Sequence, residues 1–326
     1  MKLSLVVPCY NEAENVHLFA EKARENLNGI DYEIVFINDG SKDDTIRELR
    51  KIKDERKENV TIVNFPRNFG KEAGIYAGFQ YAKGDYVTII DADLQQPLEV
   101  AREMYEFLEE HEEYDAVAAY QEQRKEGHIL TTFKSAFYNV INKLSDIEFY
   151  KNASDFRCMR RNVVEVILKM SEYHRFSKGI FAWVGFETCF RPYEVQERNA
   201  GASSWSFWSL LKYAMEGVIS FSTKPLKMVI GVGLFTSFMA ILYMVIVVIQ
   251  KLVFGNDVPG YPTIIVLILL IGGIQPTVMG IIGEYLAKVH IEVKGRPIYI
   301  AKEVIESTKN SKKETKWKVA GGRSES

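Results

Sequence analysis

Gly84-Asp85-Tyr86-Val87-Thr88-Ile89-Ile90-Asp91-Ala92-Asp93-Leu94-Gln95-Gln96-Pro97 is a β-branched run that ends abruptly in two carboxylates one residue apart. Tyr, Val, Thr and Ile in succession read as a buried strand. Side chains alternate along a strand, so Asp91 and Asp93 inside it would share one face. Two like charges buried there without a counter-cation would be strongly unfavourable. The pair therefore belongs at the strand's C-terminal end, where open α/β sheets hold ligands. Hard oxygen ligands at that place suit Mg²⁺ or Mn²⁺ carrying a diphosphate. A solvated acidic turn would account for the spacing by itself, but the neighbouring strands point the same way.

Upstream, Leu3-Ser4-Leu5-Val6-Val7-Pro8 reads as a buried strand, followed by Cys9-Tyr10-Asn11-Glu12 and a helix over Ala13 to Leu27 with Asn11 as its N-cap. Tyr32 to Ile37 is a second strand, ending in Asn38-Asp39-Gly40-Ser41 before a helix that reaches Ile52. A third, Val60 to Phe65, runs into Pro66-Arg67-Asn68-Phe69-Gly70-Lys71 and a small-residue helix from Glu72 to Ala82. Strand and helix alternating at roughly 30-residue intervals imply an α/β fold with a mostly parallel, Rossmann-like sheet covered on both faces. No G-x-G-x-x-G follows the first strand, so a dinucleotide fingerprint is absent. Each strand instead ends in polar side chains: Asn11 and Glu12, then Asp39, then Arg67 and Lys71, then Asp91 and Asp93. In a parallel sheet these ends meet at one edge, which then offers acceptors for ribose and base, cations for phosphates and a metal pair. An Asx turn capping the next helix is an equally good account of Asp39 taken singly.

The 326 residues are 47% hydrophobic with a net charge of -2, which argues against a nucleic-acid partner. The apolar residues are unevenly spread. Met228 to Ile249 and Pro259 to Gly283 carry no charge, and both exceed the roughly 20 residues that cross a bilayer. Lys224 and Lys227 precede the first span, and Lys288, Lys294, Arg296 and Lys302 follow the second, which places both termini in the cytoplasm. Met1 to Val7 is too short before Pro8 to read as a signal peptide. The three cysteines and five histidines form no zinc or disulfide pattern. The expected organisation is a cytoplasmic head over 1–222, with an interfacial helix over 205–222, then a membrane domain over 223–306 with spans over 228–249 and 261–283. A disordered tail over 307–326 completes it.

Val6-Val7-Pro8-Cys9-Tyr10-Asn11-Glu12, Asn38-Asp39-Gly40-Ser41, Asn68-Phe69-Gly70-Lys71 and Asp91-Ala92-Asp93-Leu94-Gln95 together resemble the family 2 glycosyltransferases, which have the GT-A fold. Ser154-Asp155-Phe156-Arg157, Arg175-Phe176 and Arg198-Asn199-Ala200-Gly201-Ala202-Ser203, followed by two spans, resemble the bactoprenol-phosphate glucosyltransferase branch, relatives of dolichol-phosphate mannose synthase. The resemblance implies that Pro8, Tyr10, Asn11, Glu12 and Asp39 hold the nucleoside, and that Asp91, Ala92, Asp93 and Gln95 hold the diphosphate. The ligands of Mg²⁺ or Mn²⁺ would be Asp91, Asp93 and Gln95. It also implies phosphate-binding roles for Lys71 and Arg198, and it makes Asp93, Asp155 and Arg198 the catalytic residues. Relatives usually carry a Lys after the Ala-Gly-x-Ser element, where this chain has Ser204-Trp205; Arg124, Lys134 and Arg157 are the candidates to replace that charge.

The activity so implied moves a hexose, glucose or N-acetylglucosamine, from a UDP-sugar to undecaprenyl phosphate for the cell envelope. A phosphate acceptor is already anionic and needs no general base, so Asp155 stands as either a base or an orienting group. A separate flippase and a downstream transferase are the implied partners, and homo-oligomerisation is left open. The alternatives are an alcohol acceptor, a processive polysaccharide synthase and a non-enzymatic membrane scaffold. Against the synthase, Gln196-Glu197-Arg198-Asn199 and an isolated Trp205 do not make a Gln-x-x-Arg-Trp element.

Overall fold

The structure, a computed structural model, describes residues 2–55, 59–121, 153–194, 222–254, 260–306 and 315–320. The chain begins with β1 (Leu3–Cys9), α1 (Val16–Asn26), β2 (Tyr32–Asn38), α2 (Thr45–Glu55), β3 (Val60–Asn64), α3 (Lys71–Tyr81), β4 (Tyr86–Ile89) and α4 (Leu98–Glu110). It continues through β5 (Ala116–Gln121), β6 (Ala153–Arg160), α5 (Arg161–Lys169), α6 (Ser177–Trp183) and β7 (Thr188–Tyr193). The apolar helices α7 (Lys224–Phe254) and α8 (Tyr261–Val293) follow, then β8 (Tyr299–Ile305) and β9 (Thr315–Ala320).

The strands form one sheet in the order β7-β5-β6-β4-β1-β2-β3-β8-β9. Its centre is parallel, β4-β1-β2-β3, while β6 and β8 join antiparallel on either side. Alternation along β1 explains the two-sided core. Leu3, Leu5, Val7 and Cys9 pack with Phe19 of α1, Leu49 of α2 and Met104 of α4, whereas Val6 packs with Ile75 and Phe79 of α3. The second core also takes in Val163 and Ile167 of α5 and Ile180 of α6. Burying each such side chain favours the fold by about 1.5–3 kcal/mol.

Contact between α3 and β1 is close enough to require glycine. A Cβ on Gly78 would lie 2.1 Å from Val6 Cγ1. Gly78→Ala should therefore destabilise the head by about 1–3 kcal/mol through overpacking, read as a lower melting temperature in detergent; an unchanged melting temperature would refute the close packing.

The first helix starts later than expected. Asn11 has φ 57 and does not cap a helix; α1 begins at Val16 with Asn15 as its cap residue. The reason is local: Asn11 bonds across to the next loop, donating its N–H to Ser41 Oγ (3.0 Å) and accepting the Lys42 N–H at 2.9 Å on Oδ1.

The end of the chain also departs from expectation. Ile62 to Asn64 of β3 pair antiparallel with Glu303 to Ile305 of β8, and β9 pairs with β8 in turn. Residues 299–305, expected as a short cytoplasmic segment after the spans, thus belong to the head's sheet, and 315–320 form a strand within the stretch expected to be disordered. Thr, Trp and Val give that stretch strand-forming residues among its lysines. Tyr299 anchors the return: its ring stacks on Phe65 with centroids 4.9 Å apart, and its hydroxyl donates to Gln80 Oε1 at 2.6 Å.

Both apolar helices, over Lys224–Gln250 and Val266–Val293, are long and apolar enough to cross a membrane. Leu234, Phe235, Val266 and Met279 are each more than 60% exposed, a surface that lipid would cover. α8 continues past the uncharged stretch and meets the head at its far end, where Glu292 Oε2 accepts the Tyr173 N–H at 3.0 Å. The Tyr285 hydroxyl donates to the Ser222 carbonyl at 2.8 Å, tying α8 to the start of the hairpin.

Candidate active site

The C-terminal edge of the parallel strands is held together by its own loops. After β1, the Glu12 N–H donates to Thr45 Oγ1 (2.9 Å) and the Ala13 N–H to Asp43 Oδ2 (3.2 Å), so the first loop lies on the second. Asp39, at the end of β2, is only 4% exposed and accepts the Phe69 N–H at 2.6 Å and the Gly70 N–H at 2.9 Å. Burial raises its pKa, and the two N–H donors and Arg67 oppose that rise. Asp39 therefore fixes the loop that delivers Lys71. The following Gly40, with φ 62, is forced by the same approach, since a Cβ there would lie 2.2 Å from the Arg67 carbonyl carbon.

The turn after β4 is strained: Leu94 is buried yet has φ 61, a conformation that costs a branched side chain on the order of 1 kcal/mol. Two carboxylates hold its shape. Asp93 Oδ1 accepts the Gln95 N–H at 3.1 Å, and the buried Gln96 grips Asp91 twice, accepting its N–H (2.9 Å) and donating to its Oδ2 (3.0 Å). The side chain bonded to Asp91 is that of Gln96, which the motif reading passed over; Gln95, expected as a ligand of the ion, meets the turn through its N–H on Asp93.

Across from this turn, β4 and β6 pair antiparallel with Thr88 opposite Cys158 and Ile89 opposite Arg157. Continuing that register two residues sets Asp91 across from Asp155, although some 60 residues separate them in sequence. Lys71, at the start of α3, bridges the two: its Nζ lies 2.6 Å from Asp91 Oδ1 and 3.6 Å from Asp155 Oδ2. Burial works against the lysine's charge, but Asp91 and Asp155 outweigh it and hold its pKa above the ordinary value. For Asp155 burial again opposes ionisation, and the charges of Lys71, Lys178 and Arg157 outweigh it and hold the carboxyl below the usual range. Its Oδ1 is buried without a hydrogen-bond partner among the described residues.

Arg157 is placed differently from the expectation of a phosphate contact. It is 6% exposed, with its guanidinium 3.6 Å above the Phe181 ring and Nη2 donating to the Ser154 carbonyl at 3.2 Å. Burial lowers its pKa to about 10, partly offset by Asp155, so it stays charged at neutral pH. Arg157 acts on the site through Asp155. Pro8 sits half-buried at the end of β1, Ala92 is buried, and Tyr10 is 42% exposed at the edge. Glu12 Oε2 accepts the Asn15 Nδ2–H at 2.7 Å. Arg124, Lys134, Arg198 and residues 205–221 of the expected interfacial helix lie outside the described residues.

The donor set fits a divalent ion. Mg²⁺ and Mn²⁺ commonly take one or two carboxylates and complete their shells with substrate phosphates and water. Lys71 lying on Asp91 shows that this carboxylate is presented to a cation. No group of three or more His, Cys, Asp or Glu occurs among the described residues, so the protein's share would be the Asp91–Asp93 pair.

A cavity of about 520 Å³ opens beside the bridge, lined by Phe69, Lys71, Asp155, Tyr173, Arg175 and Lys178 among others. The site thus combines a carboxylate pair on a strand-end turn, an acid and a lysine facing it, and an adjoining cavity near the C-terminal end of α8. Comparison with known proteins gives the class. Residues 4–168 match the model of glycosyl transferase family 2 and residues 224–289 that of the GtrB C-terminal hairpin. CsbB of Bacillus subtilis (strain 168) is 41% identical over 92% of this chain and 91% of its own length. The SfII prophage-derived bactoprenol glucosyl transferase of Shigella flexneri is 42% identical over 93% of this chain and 98% of its own. Among solved structures, the Pyrobaculum calidifontis mannosyltransferase PcManGT is similar over 59% of this chain and 55% of its own, with TM-score 0.43 and 19% identity. The chain belongs to glycosyl transferase family 2.

Proposed function

We propose that the protein transfers a hexose, glucose foremost, from a UDP-sugar to a polyprenyl phosphate with inversion at the anomeric carbon. The observation that carries this reading is the Lys71 bridge between Asp91 on the strand-end turn and Asp155 beside the cavity at the base of the hairpin. It is supported by relatives whose names specify bactoprenol glucosyl transfer at similar length.

In this mechanism Pro8, Tyr10, Asn11 and Glu12 border the nucleoside, and Asp91 and Asp93 would hold Mg²⁺ or Mn²⁺ beside the diphosphate. The ion supplies electrostatic stabilisation of the leaving nucleoside diphosphate. Lys71 adds a second cation to the same charge, and Asp155, kept ionised by its neighbours, orients the acceptor and stabilises positive charge growing on the sugar. Arg198, by its resemblance to the family motif, is the candidate for a further phosphate contact. Undecaprenyl phosphate with Mg²⁺ and a panel of labelled UDP-sugars tests the reading directly. Lipid-linked product from UDP-glucose is expected; a panel giving none on the phosphate but product on polyprenol would overturn it.

The basic residues flanking the hairpin support a cytoplasmic head with both termini on that side. Tags at the N-terminus and at residue 326 should both report cytoplasm and one near Asn256 the opposite side; opposite reports from the two termini would remove one crossing. A lipid-linked sugar made on the inner face then calls for a flippase and a downstream transferase.

A further inference from the structure

Asp91 and Asp93 do not line the 520 Å³ cavity, whereas Lys71 and Asp155 belong both to it and to the carboxylate cluster. Among the described residues, three cations border it: Lys71, Arg175 and Lys178. Of the lining carboxylates, Glu72 and one oxygen of Asp155 have partners. Glu72 accepts the Ser177 N–H at 3.0 Å as well as the Ser177 hydroxyl, and Asp155 faces Lys71. Arg175 is held in place by the Tyr76 ring, 4.5 Å from its centroid, and by the Met170 carbonyl. Lys178 is half-buried and its charge reaches Asp155. The rim lies at the C-terminal end of α8, since Ile298 lines the cavity just beyond that helix and the Tyr173 N–H is bonded to Glu292 of α8.

We propose that this cavity seats the phosphate headgroup of the lipid acceptor, with Arg175 and Lys178 binding its oxygens and Lys71 marking the boundary with the donor's diphosphate. The inference rests on the polyprenyl phosphate reading and names the residues of its acceptor subsite. Paired cations against an anionic headgroup form strong, charge-assisted hydrogen bonds. A phosphate monoester carries a charge of about −1.5 to −2 at neutral pH, so its oxygen attacks the anomeric carbon without first surrendering a proton. A new bond forms from that oxygen to the carbon, the bond to the UDP oxygen breaks, and its electron pair leaves on the nucleoside diphosphate. Lys71, touching both compartments, follows the negative charge as it passes from acceptor to leaving group.

The test uses the full-length protein in detergent with undecaprenyl phosphate, UDP-glucose and Mg²⁺. Lys178→Gln should raise the KM for the lipid by about tenfold or more, the scale of one charge-assisted bond, while UDP affinity measured by calorimetry stays within twofold. Retained UDP affinity also reports that the head is folded. Lys178→Arg should restore the lipid KM, which a merely structural lysine would not require. Arg175→Gln should act in the same direction and more strongly. Inorganic phosphate should compete with the lipid and not with UDP-glucose. An unchanged lipid KM in Lys178→Gln overturns the proposal, as does a loss confined to UDP affinity, which would assign these cations to the donor. If the wild-type protein glucosylates polyprenol and ignores the phosphate, the acceptor reading fails first and this subsite with it.

Discussion

Asp93→Asn should abolish sugar transfer, lowering turnover by on the order of 10²- to 10³-fold, the scale of losing one preorganised stabiliser of transition-state charge. Asparagine retains an oxygen that can accept the Gln95 N–H, so the turn after β4 keeps its shape. What disappears is a negative charge. Affinity for Mn²⁺ and for UDP in its presence should fall together, measured by titration calorimetry, with the melting temperature unchanged. Wild-type turnover in the variant, or full activity of the unmodified protein in EDTA, would end the metal assignment.

Lys71→Met should be nearly as damaging. Methionine has about the reach of lysine but no charge, leaving Asp91 and Asp155 across from one another with nothing between them. The Lys71 charge is a principal force holding Asp155 below its ordinary pKa against burial. Without it burial gains weight, so Asp155 takes up its proton at a higher pH than in the wild type. The acid limb of the activity profile should accordingly move to higher pH, and the residual rate at neutral pH should fall by at least about tenfold. A variant whose acid limb stays in place would show that Asp155 is not the titrating group or that Lys71 does not govern it.

Much of this arrangement was legible in the sequence because it follows from strand ends. The short, almost continuously buried apolar runs of β1 to β4 and the polar residue after each strand place Asp39, Lys71, Asp91 and Asp93 on one edge without any knowledge of distances. The roles within that edge were less legible. Asp39 has the residue type of a ligand-facing acceptor, yet burial and two backbone N–H groups make it a brace for the Lys71 loop. Gln95 and Gln96 are indistinguishable by composition, and only the φ 61 kink at Leu94 decides which of them reaches Asp91. Arg157 looks available for phosphate because its alternation with Asp155 is visible, whereas the Phe181 ring that covers it comes from a helix some twenty residues on. The pairing of Asp91 with Asp155 depends on an antiparallel register that local pattern does not contain. The return of 299–305 into the sheet was hidden for the same reason: a strand seven residues long after a membrane hairpin reads as a cytoplasmic flank.

That return has a practical side for anyone wishing to work without detergent. Cutting the chain after residue 222 would discard β8 along with the hairpin. The apolar strand Val60–Asn64 would then be a bare edge, and Phe65 would lose the ring stacked on it. Bare, flat edges recruit other chains, so such a fragment should aggregate even though its nominal catalytic residues are complete. A water-soluble enzyme calls for excision of the two apolar helices alone, with residues 298–305 retained and rejoined through a flexible linker, so that the sheet closes as it does in the intact protein.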